Sequence, residues 1–172
     1  MHLHSSDRPE ATFEQAFHEY RDGIFRHCYF HVFDREGALD LTQETFVKTW
    51  QYVAGGNDIE NVQAFLYKVA TNLIYNDARR KKALSLETLQ EEGFDPPSHD
   101  ENLARDVIAE ERVLRVLQKI EEPYRSAVTL RFIEGLQPAE IAEATGETAN
   151  TISVRINRGL KQLRSHLNVD HG

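Results

Sequence analysis

Several things are scarce in this chain, and each scarcity removes a class of protein. Cysteine occurs once, as Cys28, so no disulfide can close within the chain and a reducing compartment suits it. No apolar stretch approaches the ~18 residues that a membrane span requires. The start, Met1-His2-Leu3-His4-Ser5-Ser6, has neither the basic nor the apolar segment of a signal peptide. A cytoplasmic location without membrane insertion is therefore expected. Strand-like alternation and hairpin turns are missing as well, whereas Leu, Ile, Val and Phe recur at helical spacing almost throughout. The expected fold class is all-α. No glycine-rich phosphate loop and no nucleophile paired with a base is visible, so neither an enzyme nor a cofactor is expected.

Positive charge is also in short supply: 20 Lys and Arg stand against 28 Asp and Glu, a net charge of −8. A free-standing DNA binder is usually basic. The deficit is local, because residues 83–111 hold nine acidic side chains against Arg105 alone, while residues 1–82 hold ten cations and twelve anions and residues 112–172 hold nine and seven. Within that acidic stretch, Gly93-Phe94-Asp95-Pro96-Pro97-Ser98 blocks helix continuation. The expected organisation is two small helical domains, 12–82 and 112–168, joined by an acidic flexible linker over 83–111 and flanked by tails at 1–11 and 169–172. Weak attraction of the whole chain to DNA implies that it acts with a partner.

What is present begins with Pro138 to Arg164. Pro138 opens a short helix at the position where its missing N–H costs nothing, Gly146 ends it, and Thr148 can cap the helix that follows. In that second helix Ile152, Ile156, Leu160, Leu163 and Leu167 form one apolar stripe. The other face shows Asn150, Thr151, Ser153, Arg155, Asn157, Arg158 and Lys161, which can bond base edges and phosphates in a major groove. This is a helix-turn-helix pattern, although any surface helix pair shares its periodicity.

The N-terminal part divides into three helices. Phe13, Phe17, Tyr20, Ile24 and Cys28 give the first an apolar stripe, with Thr12 as its expected cap. Asp34 or Gly37 opens the second, with Leu41, Thr45 or Phe46, and Trp50 facing inward and Asp40, Gln43, Glu44 and Lys48 outward. After Gly55-Gly56-Asn57-Asp58, Asn61 caps a third helix that buries Phe65, Leu66, Val69, Ala70, Leu73 and Ala78. Its outer face carries Lys68, Asn72, Asn76, Arg79 and Arg80, amides followed by cations, which suits bases and then phosphates. A solvated helix end, with cations complementing its dipole, reads the same way. His27, Cys28 and His31 are tempting metal ligands, but Cys28 lies about 100° from His27 around the helix, so their convergence on one ion is poor.

Three blocks resemble a known family. Asp40-Leu41-Thr42-Gln43-Glu44-Thr45-Phe46-Val47-Lys48-Thr49-Trp50 is similar to the polymerase-binding segment of extracytoplasmic-function (ECF) sigma factors. Phe65 to Leu73, with Asp77 and Arg79-Arg80, resembles their promoter-melting and minus-10 segment. Pro123-Tyr124-Arg125 through Leu130-Arg131-Phe132, Glu134-Gly135-Leu136 and Glu140-Ile141-Ala142 resembles their C-terminal domain. The resemblance implies a sigma factor that binds core RNA polymerase and directs promoter-specific initiation. Asp40, Gln43, Glu44 and Lys48 would then meet the β′ clamp helices, and region 4 the β flap. Asn57, Asp58, Lys68, Asn72, Asn76, Arg79 and Arg80 would handle the minus-10 element, with an extruded base beside the Gly55–Val62 loop. Asn150, Thr151, Ser153, Arg155, Arg158 and Lys161 would read the minus-35 element. Asn76, Ser153 and Val154 stand where relatives often carry an acid, a basic residue and a hydroxyl residue, so the bases read are expected to differ. An anti-sigma partner is the further implication. The alternatives are a dimeric helix-turn-helix regulator, which leaves Asp40–Trp50 and Arg79–Lys82 without a task, and an RNA-binding or protein adaptor, which leaves the recognition helix without one.

Overall fold

The computed structural model describes residues 9–87 and 106–169. Among them seven α-helices follow one another: α1 (Pro9–Val32), α2 (Arg35–Ala54), α3 (Val62–Glu87), α4 (Asp106–Gln118), α5 (Tyr124–Phe132), α6 (Pro138–Thr145) and α7 (Ala149–Val169). The chain divides into two compact units, the first holding α1 to α3 and the second α4, α5, α7 and the start of α6.

In the first unit each helix packs on the other two. Leu41, Phe46 and Val53 of α2 are buried, and so are Leu66, Tyr67, Ala70 and Leu73 of α3. Three threonines, Thr42, Thr45 and Thr49, share the buried side of α2. Their hydroxyls donate to the carbonyls of Ala38, Leu41 and Thr45 at 2.6, 2.7 and 2.8 Å, so the cost of burying them is offset inside the helix itself. Phe13 and Phe17 of α1 meet Phe46 at ring separations of 6.2 and 4.9 Å, and Phe13 also meets Trp50 at 5.1 Å. Asp34 caps α2 by accepting from Gly37 N at 2.9 Å, and Asn61 caps α3 by accepting from Ala64 N at 3.0 Å. Thr12 does not cap α1, because that helix begins three residues earlier, at Pro9. Ala78 is exposed, so the buried side of α3 does not extend to it. The third helix also continues past Lys82 to Glu87, since Ala83-Leu84-Ser85-Leu86 contains no breaker. The Gly93–Ser98 segment lies outside the described residues.

In the second unit α7 packs on α5 and α4 around Val116, Leu117, Val128, Leu130, Ile152 and Ile156. Of the expected stripe on α7, Leu160, Leu163 and Leu167 are only half-buried. The tightest approach is at Gly159, where an added Cβ would lie 2.5 Å from Val128 Cγ2 and 3.0 Å from the Tyr124 carbonyl oxygen. Glycine in mid-helix normally costs stability, so its presence here is explained by the closeness of α5. The Glu140 carboxylate accepts from Gln137 N at 2.7 Å at the start of α6. Gly146 adopts φ +72 at its end, and Glu147 N donates back to Ala142 O at 3.1 Å, a closure that needs a left-handed residue.

Two stability predictions follow from these cores. Gly159→Ala should lower the denaturant midpoint, because overpacking of about 1–3 kcal/mol exceeds the ~1 kcal/mol that alanine gains in helix propensity; a rise would mean that α5 yields freely. The second concerns His27, fully buried in the first unit, whose Nε2 lies 3.1 Å from Thr71 Oγ1 and whose Nδ1 has no partner. Burial, then the neighbouring His31, holds its pKa well below the ordinary histidine value. The unfolded chain therefore takes up a proton near pH 6.5 that the folded chain refuses, and stability falls as pH drops below that value. Between pH 7.5 and 5.5 the loss from this group should be roughly 1 kcal/mol, read by urea unfolding, and His27→Gln should remove that component.

Candidate nucleic-acid interface

On α3, the residues Lys68, Asn72, Asn76, Arg79 and Arg80 are all exposed. Lys68, Asn72, Asn76 and Arg79 recur at three- and four-residue steps, so they form one row along the helix. Arg80 is not open in the same way: its Nη2 lies 2.9 Å from Asp77 Oδ1, and Lys81 Nζ lies 2.8 Å from the other oxygen of that carboxylate. Partial burial opposes ionisation of Asp77, but the hydrogen bonds and charges of Lys81 and Arg80 outweigh it and keep the carboxyl below its usual range. Asp77 thus orients two of the four consecutive cations.

The loop from Gly55 to Asn61 stands beside this helix. Gly56 takes φ +88, and the Asn57 side-chain amide donates to Tyr52 O at 3.0 Å, so Asn57 shapes the loop as well as being exposed. Asp58 is exposed, while Ile59 and Val62 point into the core.

The outer face of α2 presents Asp40, Gln43, Glu44 and Lys48, all exposed. Lys48 Nζ is 3.6 Å from Glu44 Oε1. Val47, 53% exposed, lies among them and Leu39 at their edge. An apolar centre with a charged rim is the make-up of a protein-binding patch. The sequence pattern points to the rim and not the centre, because a single valine among charges carries no periodic signal.

On α7, Asn150, Ser153, Val154, Asn157, Arg158 and Lys161 are exposed and share a face. Thr148 caps the helix, accepting from Thr151 N at 3.1 Å, and its hydroxyl is 2.9 Å from that of Thr151. Ser153 Oγ donates to Ala149 O at 3.0 Å, and Arg158 Nη1 to Tyr124 Oη at 3.3 Å. Arg155 is on the flank: its Nη2 pairs with Glu147 Oε1 at 2.7 Å, with the guanidinium side chain 21% exposed. The expectation of an open base-reading arginine at 155 is thus modified by the turn, which sets Glu147 against it. Val154, 43% exposed, occupies the middle of the face instead.

His27, Cys28 and His31 do not converge on an ion position. His31 Nδ1 donates to the His27 carbonyl oxygen at 2.7 Å. Burial, only partly offset by the hydrogen bond with Thr42, pushes the Cys28 thiol up to about 12, far from the thiolate that metals need. Among the described residues no group of three His, Cys, Asp or Glu could hold a metal ion.

Comparison with known proteins gives this geometry a family. Residues 16–84 match Sigma-70 region 2, and residues 110–163 match Sigma-70, region 4. The chain belongs to the sigma-70 family as an ECF sigma factor. It is 29% identical to the ECF RNA polymerase sigma factor SigE of Mycolicibacterium smegmatis over 165 residues, covering 91% of this chain and 62% of SigE. With ECF RNA polymerase sigma factor SigW of Bacillus subtilis it shares 28% identity, covering 86% of this chain and 84% of SigW. Its fold is similar to the sigma factor RpoE of Bartonella quintana, solved in complex with the anti-sigma factor NepR, at a TM-score of 0.75 and 20% identity, covering 92% and 98% of the two chains. Sigma factors are non-catalytic subunits that direct promoter-specific transcription initiation by RNA polymerase. In this sigma factor the region 2 match falls on α1 to α3 and the region 4 match on α4 to α7. No helix among the described residues is long and apolar enough to cross a membrane.

Proposed function

We propose that this sigma factor, acting in the cytoplasm, docks on the β′ clamp helices of core RNA polymerase through the outer face of α2 and on the β flap through region 4. Promoter DNA is then engaged by two surfaces, α3 at the minus-10 element and α7 at the minus-35 element. The observation that carries this reading is the exposed row Lys68, Asn72, Asn76 and Arg79 on a helix whose other side is core. Amides can take the edges of bases that have left the stack, and cations the phosphates beside them. Exposed Phe132 and Ile133 at the end of α5 offer region 4 the apolar surface that a protein partner covers. An anti-sigma factor, such as the NepR with which the similarly folded RpoE was solved, would compete for the outer face of α2.

Reconstitution with core RNA polymerase tests the reading. The chain should confer initiation at specific promoters. Asp40→Ala with Glu44→Ala should weaken association with the core enzyme in a pull-down while leaving the circular dichroism unchanged, since both side chains point away from the core. Unchanged association would remove the α2 face from the interface.

At the minus-35 element the two kinds of contact separate by mutation. If Arg155 leaves Glu147 for a guanine edge, Arg155→Ala should flatten the preference at one position by about 1–3 kcal/mol. Lys161→Ala should instead weaken all sequences alike and lower the salt slope by roughly one unit. Holoenzyme binding across a minus-35 library at two salt concentrations gives both quantities. A uniform loss with Arg155→Ala would make that residue a phosphate contact.

A further inference from the structure

Val154 stands on the outermost line of α7. Ile152 and Ile156, 1% and 9% exposed, lie two positions before and after it, each about 160° away around the helix at 100° per residue. Val154 therefore points directly away from the core, and it is 43% exposed. It sits in the second turn of the helix, in the half from which a recognition helix reaches base edges. A β-branched residue is a weaker helix former than alanine, so stability alone does not ask for valine at an exposed site. The polar side chains next to it are turned back on the protein. Ser153 Oγ donates to Ala149 O at 3.0 Å, Arg155 Nη2 to Glu147 Oε1 at 2.7 Å and Arg158 Nη1 to Tyr124 Oη at 3.3 Å. Asn150, Asn157 and Lys161 stay exposed, within about 60° of Val154 around the helix. At the crest of the face, then, the protein offers two methyl groups beside amides and a cation.

We propose that Val154 reads a thymine of the minus-35 element through the 5-methyl group of that base. This rests on the assignment of α7 to the minus-35 element and adds the base and the group recognised there. Thymine is the one ordinary DNA base that presents a methyl group in the major groove, whereas guanine, adenine and cytosine present hydrogen-bonding groups. Valine has no donor or acceptor to give them, so a polar edge beneath it would lose water without gaining a bond. Contact with thymine instead removes two apolar surfaces from water together. The valine thus favours thymine and disfavours the other three bases, and it does so with no arginine having to leave its internal partner. The amides of Asn150 and Asn157 and the ammonium group of Lys161 are left for neighbouring base edges and phosphates.

The test uses reconstituted holoenzyme and a promoter from which it initiates, with each thymine of the minus-35 element, on either strand, replaced in turn by deoxyuridine. That exchange removes the methyl group and leaves the base pairing intact. At one position it should weaken binding about fourfold, the effect of one buried methyl group. Val154→Ala, whose side chain ends one carbon sooner, should lose most of this sensitivity. At the same position cytosine should bind weakly, and 5-methylcytosine should recover part of the loss with the unaltered chain and less with Val154→Ala. Circular dichroism should show no loss of helix in Val154→Ala, since the side chain lies outside the core. The proposal is overturned if no deoxyuridine weakens binding, or if the sensitive position stays equally sensitive in Val154→Ala, the mark of a methyl group met by another residue. If binding is indifferent to the whole minus-35 sequence, the assignment of α7 falls together with the valine contact. If binding depends on that sequence but not on the methyl group, only the valine contact falls.

Discussion

One-sided burial of long helices is the constraint on which the rest of this structure depends. α2, α3 and α7 each spend one side on a core, and only that anchoring lets the other side hold charged and amide groups in fixed rows facing water. Isolated helices of this polarity would be marginal. In region 2 the anchoring is unusual because it uses hydroxyls as well as apolar groups. Thr42, Thr45 and Thr49 satisfy their own hydrogen bonds along α2, so the helix can be buried without apolar side chains at every inward position, and the close approach of α1 and α3 is preserved. Region 4 reaches the same end by removing a side chain: Gly159 lets α5 lie against α7.

The distribution of charge follows the same division. A net charge of −8 would oppose binding to DNA if it were spread evenly, but screening limits the reach of a surface charge to about 10 Å at 0.1 M salt. On the proposed reading, what a promoter meets is therefore the local surface, the row on α3 or the face of α7, and not the total. The internal ion pairs refine that surface. Asp77 holds Arg80 and Lys81, leaving Arg79 and Lys68 as the more open cations of the row, and Glu147 draws Arg155 to the flank of α7. Each such pair is worth little in stability at the surface, yet each sets where a positive charge is aimed.

Much of the fold was legible in the sequence, and so was the exposure of most residues on the outer faces of α2, α3 and α7. The helix periods of residues 13–28, 41–50 and 61–74, the Asp34 and Asn61 caps, Pro138 and Gly146 all carry local signals that survive folding, because caps and turns are decided by a few neighbouring residues. Thr12 misled because helix starts fray and a good capping residue is also tolerated one turn inside. Ala78 misled because periodicity does not say where burial along a helix ends. Val47 escaped notice since a lone apolar residue in a polar face breaks no pattern.

The amino-acid sequence by itself determined the all-α class and which side of each helix faces outward, since both depend on residue spacing within one element, and the resemblance of its motifs implied the two sigma regions and their order. Tertiary structure alone decided the pairings: His27 beside Thr71, Tyr52 against Phe65, Gly159 under Val128. It also decided which arginines are held and which are open, because Arg155 meets Glu147 only when the turn between α6 and α7 has closed. Contacts of that kind depend on where two elements cross, and no spacing along a single element records it.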